Sequence, residues 1–234
     1  MHELPDDYLE TVDALHRLTV YVVSPAQRLV NGEIILRSLP GGFGTYEFGG
    51  GTVVRIEGRE LVIDGDRPRR APITTLRAAA ELAGIEPDVG QADQFDVPAP
   101  GDLDEPLHVG EAASADLARW YAFVTKVLET LRAEAAEADD ASPVRIWPEH
   151  FDAAIDLGAE ADGWRATYGG SPADGQHAQP YLYASPWAGR IDSFFGDPSF
   201  AGASLTHAEL VAADDPHSAA LAFLRRARRI VTGR

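Results

Sequence analysis

The sequence predicts an α+β protein with a largely antiparallel sheet, in two meander-like halves packed with about four helices. Three observations predict it. Strand-like segments of period 2 lie between helical stretches without strictly alternating with them. All four helical stretches carry their own start or stop residues. Each half pairs a short meander with a helix. The two halves are drawn at residues 1–100 and 101–234 and are expected to pack as one unit.

The first helix is predicted from the segment after Pro5, where two acidic residues suit a helix N-terminus and Tyr8, Val12 and Leu15 keep helical spacing. It is expected to run to about residue 23, with Pro25 kinking or ending it and Asn31-Gly32 closing the segment. EIILRSL reads as a strand. GGFGTYEFGGG, residues 41–51, reads as a glycine-rich loop around a short strand, and TVVRIEGRELVIDG as a hairpin turning at Glu57-Gly58. ITTLRAAAELAGI is a short helix with a threonine cap and a stop at Gly84.

From Glu86 to Glu111 the chain is rich in acidic residues, proline and glycine and holds no lysine or arginine, the composition of a loop or linker. The clearest helix follows. Ser114 is its expected cap, and Leu117, Trp120, Tyr121, Val124, Leu128 and Leu131 form one apolar stripe. Strands are predicted in PVRIWPEHFDAAIDL, GWRATYGG, QPYLYASPW and ASLTHAELVAA. A final helix is capped by Asp215 with Pro216 in its first turn and Ala220, Phe223, Leu224, Ala227, Ile230 and Val231 inward.

Composition excludes several functions. There is no cysteine, so disulfides, thiolate nucleophiles, iron–sulfur clusters and cysteine zinc sites are ruled out. A formal charge of -17 argues against nucleic acid as a partner, because phosphate binding needs clustered lysine and arginine. No apolar run reaches the roughly 20 residues of a membrane span, and the acidic N-terminus is unlike a secretory signal, so a cytoplasmic protein is expected. The one basic cluster, Arg225, Arg226, Arg228 and Arg229, reads first as a solvated helix face.

Familiar catalytic motifs are missing. The glycine-rich stretch lacks both the GK[ST] ending of a phosphate loop and a following helix, and its expected role is a flexible turn. Chemistry-bearing residues instead concentrate between 147 and 187. Read as a strand, RIWPEHFDAAIDLG puts Phe151, Ala153, Ile155 and Leu157 on a core face and His150, Asp152, Ala154 and Asp156 on the other. A loop bearing Asp174 and His177 could fold over that second face. His150, Asp152, Asp174 and His177 would then make a first shell for a divalent metal such as zinc, manganese or iron, able to activate a water.

Two other readings of the same window stand beside this one. Trp147, Tyr181, Tyr183 and Trp187, with Ser171, could line a small-molecule pocket without metal, since aromatic walls with a few polar groups are how such pockets are built. Alternatively the aromatics are core, and Asp174 in SPADG only stabilises a turn. In that case the protein is non-catalytic, and its acidic loop contacts a basic partner. His16 is placed outside the site. The oligomeric state is not legible.

The segments PGGFGTY, WPEHFD and YGGSPADGQHAQPYLYASPW together resemble a family of conserved bacterial proteins of unknown function, across nearly the whole chain. The family pattern is close to YGxSPGDxxHxxPYLYxxPW. This chain departs from it at Ala173 and Ala184 and loses no polar group by doing so. The resemblance implies that the 147–187 window matters and implies no activity.

Overall fold

Helical spacing at the N-terminus produces a longer rod than the proline suggests. In the computed structural model, which describes residues 2–90, 97–189 and 192–233, α1 (Tyr8–Leu18) passes through a π turn (Thr19–Val23) into α2 (Ser24–Asn31). Pro25 has no N–H, so the Tyr21 carbonyl has no donor from the residue four along. It accepts the Asp88 N–H instead, at 3.0 Å, and the Tyr21 hydroxyl donates to the Pro98 carbonyl at 2.6 Å. Widening one turn thus keeps the helix going to Asn31, where Gly32 ends it in the left-handed conformation.

The chain divides into two compact units. One holds Leu4–Ala122 and Ile146–Phe151, the other Met1–Glu3, Phe123–Arg145 and Asp152–Arg234. The strands of the first are β1 (Leu36–Leu39), β2 (Gly42–Thr45), β3 (Val53–Glu57), β4 (Glu60–Asp64) and β5 (Arg69–Pro72), with β6 (Arg145–Trp147) against β1. They pair antiparallel in the order β6-β1-β2-β3-β4-β5. The hairpin expected at Glu57-Gly58 is the β3–β4 turn.

The glycine-rich stretch contains the expected short strand, β2, followed by a turn at residues 49–51 that the Phe48–Thr52 bridge closes. A Cβ on Gly42 would lie 1.9 Å from the Ile56 carbonyl oxygen, and one on Gly44 2.5 Å from the Arg55 Cβ. Glycine is needed there for close approach to β3, not for looseness.

Next comes α3 (Leu76–Ala83), capped by Thr75, whose hydroxyl accepts the Ala78 N–H at 3.1 Å. Residues 97–110 have neither helix nor strand but are anchored. The Leu107 N–H donates to the Thr74 carbonyl and the Arg77 N–H to that of Leu103, while Leu107 and Val109 are buried. Asp104 pairs with Arg77 at 2.8 Å, and Asp88 pairs with Arg28. Residues 91–96 of the predicted acidic loop lie outside the described residues.

The long helix, α4 (Glu111–Ala133), starts three residues before Ser114, so that serine is not its cap. Its hydroxyl donates back to the Glu111 carbonyl within the first turn. The predicted stripe, Leu117 to Leu131, is at most 4% exposed at every position.

The second unit contains β7 (Asp152–Leu157), β8 (Ala166–Ser171), β9 (Tyr181–Pro186) and β10 (Ala203–Thr206), antiparallel in the order β10-β9-β8-β7. ASLTHAELVAA is only partly strand. After Thr206 it becomes α5 (His207–Ala212), because Thr206 and Glu209 form a capping box. The last helix, α6 (Pro216–Thr232), is capped by Asp215 and buries Ala220, Leu221, Leu224, Ala227 and Val231. It packs on β8, β9 and β10. Three of its four clustered arginines are used internally: Arg225 binds Glu134, Arg228 reaches Asp139 at 2.6 Å, and Arg226 lies over Phe194. No helix among the described residues is long and apolar enough to cross a membrane.

Candidate functional site

The candidate site grows from the loop joining β8 to β9, in the second unit. In SPADGQH the Asp174 carboxylate accepts the backbone N–H groups of Gln176 and His177, both at 2.7 Å, which closes a tight turn. That turn brings the His177 Nδ1 to 3.1 Å from Asp174 Oδ1. Tyr181, the first residue of β9, donates its hydroxyl to Asp174 Oδ2 at 2.5 Å and stacks on the imidazole with centroids 4.1 Å apart.

On its other edge the imidazole meets a second carboxylate. His177 Nε2 lies 3.5 Å from Asp197 Oδ2. Asp197 is fixed by its own turn: it accepts the Ser199 N–H at 2.9 Å, the Ser199 hydroxyl at 2.5 Å and the Ser204 hydroxyl at 2.6 Å. Phe200, from the same loop, lies edge-on to Tyr183 at 6.1 Å. Tyr183 donates its hydroxyl to Asp152 at the head of β7. It stands across from Gly169 in the β8–β9 register. A Cβ on Gly169 would lie 2.5 Å from the Tyr183 ring, so the aromatic side chain fits only above a glycine.

Burial raises the Asp197 pKa, but its three hydrogen bonds outweigh that and hold the carboxyl at about 2. Asp174 is likewise lowered: burial pushes it up, and the bonds from Tyr181 and the two backbone N–H groups win. Burial, reinforced by the neighbouring carboxylates, pushes both tyrosines upward, so each phenol stays a proton donor.

This arrangement is not that of a hydrolytic triad. In a hydrolytic triad the imidazole stands between the hydroxyl and the carboxylate. Here Asp197 stands between His177 and the two serines. The cluster is held together by hydrogen bonds and aromatic contacts.

Of the residues singled out in the sequence, Asp174, His177, Tyr181 and Tyr183 are brought together with Asp152. His150 does not share a face with Asp152, which corrects the two-faced strand reading. Residues 148–151 form a turn in the first unit, Phe151 takes the left-handed conformation at φ 52°, and β7 begins only at Asp152. The alternation assumed across that point is therefore broken. His150 is exposed, whereas Asp152 is buried at 6% exposure.

Among the described residues no group of three or more His, Asp or Glu is arranged to hold a metal ion. Asp174 and His177 face each other as hydrogen-bond partners, and the Asp152 carboxylate receives Tyr183.

Trp147 is half-buried on β6, in the first unit. Trp187 lies just past β9, six residues from Tyr181 or about 20 Å along an extended chain. It is 52% exposed, its indole N–H donating to Thr167 and the Arg165 guanidinium 5.1 Å from its ring. Ser171 is buried and donates to the Ala173 carbonyl. The residues that sequence reasoning missed are Asp197, Ser199, Phe200 and Ser204. The Asp-Pro-Ser turn signal was legible, but nothing in a linear reading ties it to His177, twenty residues earlier.

No family model, no curated protein and no solved structure matches this chain.

Proposed function

We propose that the chain is a small-molecule-binding protein whose site is the rim formed by Asp174 and His177 beside Tyr181, without covalent catalysis. The observation that carries this reading is the preorganised imidazole. His177 is held by carboxylates on both edges and stacked on a tyrosine, yet its side chain is 19% exposed and that of Asp174 38%. A donor and an acceptor fixed beside an aromatic wall suit a small ligand with a polar group and a flat apolar part.

The test is a thermal-shift screen of metabolites, with zinc and manganese included, on wild type, His177→Gln and Asp174→Asn. A ligand that raises Tm in wild type and in neither variant supports the reading. Near-stoichiometric metal in purified protein, lost in His177→Ala, would replace it with the metal reading. If every hit acts equally on all three proteins, the cluster is a structural clamp between two loops. That second reading is favoured by the mutual satisfaction of Asp174, Tyr181, Asp197, Ser199 and Ser204. The basic-partner reading of the acidic loop is weaker, because Asp88 and Asp104 already face arginines of the same chain.

A further inference from the structure

The WPEHF turn takes no part in the ligand reading, yet it holds a strained residue in the first unit. Phe151 is one of two non-glycine residues with positive φ among the described residues, and the only aromatic one; it is 1% exposed. A bulky residue in that conformation is strained and persists only where its surroundings hold it. Four groups do so. The Tyr121 hydroxyl donates to the Phe151 carbonyl at 2.8 Å, and the Phe151 N–H donates to the Trp147 carbonyl at 2.7 Å. Phe43 and Tyr121 meet its ring edge-on at 5.4 and 5.7 Å. The fourth is His16, which stacks flat on Phe151 with centroids 4.7 Å apart and rings 6° from parallel, and donates from Nε2 to the Pro148 carbonyl at 2.9 Å.

We propose that His16 and the 147–151 turn form an acid-sensitive latch: neutral His16 holds Phe151 in its left-handed conformation, and protonation of His16 expels the ring and releases the turn. The groups facing His16 favour this. The turn presents the carbonyls of Pro148 and Glu149 and the imidazole of His150, whose charge opposes a second cation beside it. Phe151, the ring that His16 covers, meets the Tyr121 hydroxyl from α4 and the apolar ring of Phe43 from β2 on its other sides. On the helix itself the neighbouring Arg17 is engaged by Asp13 at 3.0 Å.

Burial, with His150 adding to it, lowers the His16 pKa to about 4 against the pull of the two carbonyls. The sign follows from linkage. A histidine depressed on folding stabilises the latched form fully above about pH 6.5, and the stabilisation is lost as pH falls from there to about 4. Between pH 7 and 4.5 the opening equilibrium should rise roughly 60-fold. This inference stands apart from the ligand reading, since none of its residues belongs to the His177 cluster.

The test is NMR on the full chain, following the His16 ring through a pH titration and the protection factor of the Phe151 amide. His16 should titrate far below its ordinary value, and Phe151 protection should fall by that factor. The Val54 amide, bonded to Thr45 Oγ1 in the same unit, should keep its protection. His16→Phe, which keeps an aromatic ring over Phe151 but cannot titrate, should abolish the pH dependence. His16 titrating near 6.5, Phe151 protection independent of pH, or Val54 losing protection in step with it would each overturn the latch. Should His16→Phe fail to fold, the wild-type titration and exchange decide the matter alone.

Discussion

Replacing Asp197 by asparagine should cost stability by an amount that disappears in acid. The carboxylate accepts three hydrogen bonds, from the Ser199 N–H and the Ser199 and Ser204 hydroxyls, and faces His177. Its pKa falls from 3.8 to about 2 on folding. At 1.36 kcal/mol per pH unit this drop is worth about 2.4 kcal/mol, which solvent screening reduces to about 1–2 kcal/mol. A carboxyl depressed on folding stabilises above its unfolded pKa, so the contribution is complete above about pH 4 and is lost as pH falls through about 2. The assay is urea unfolding of wild type and Asp197→Asn, followed by far-UV circular dichroism at pH 7, 4, 3 and 2. The two proteins should differ by about 1–2 kcal/mol at pH 7, and the gap should close toward pH 2. Other acidic groups titrate in the same range, but they are common to both proteins and cancel in the difference. A gap that stays constant from pH 7 to pH 2 would refute the electrostatic origin claimed for it, and a gap below about 0.3 kcal/mol would refute the network itself.

Gly169→Ala places a methyl within the Tyr183 ring and should destabilise by about 1–3 kcal/mol, with near-UV circular dichroism showing the tyrosine displaced. Tyr121→Phe leaves the buried Phe151 carbonyl without its hydroxyl donor and should cost about 1–3 kcal/mol in urea unfolding. Asp215→Ala removes the acceptor for the His217 and Ser218 N–H groups and should cost about 1 kcal/mol. Leu128→Ala, at a fully buried stripe position of α4, should cost about 2–5 kcal/mol.

The fold was legible where a local rule was also the tertiary answer. Thr75, Gly84, Asp215 and Pro216 bound helices in the sequence and in the structure, because capping uses groups within four residues of one another. Elsewhere the linear reading failed, once through a long-range partner and twice through a local helix start. Pro25 does not end its helix but follows a π turn at Thr19–Val23, and Asp88 supplies the N–H that the Tyr21 carbonyl needs. Ser114 looked like a cap, but α4 extends three residues beyond it. Thr206 and Glu209 carried a capping signal that the apolar alternation of ASLTHAELVAA concealed.

The candidate site divides the same way. By itself the sequence determined the α+β class, the missing cysteine chemistry, the buried stripe of α4 and the concentration of polar and aromatic residues between 147 and 187. Period-2 counting carries no information about a left-handed residue, so only the folded backbone could separate His150 from Asp152 at Phe151. Only the pairing of β9 with β8 and β10 sets Tyr183 over Gly169, and only the packing of the 197–202 loop places a second carboxylate against His177. Those contacts join residues many positions apart. Their energies come from burial and from hydrogen bonds that close when the strands pair, and neither is written in local spacing.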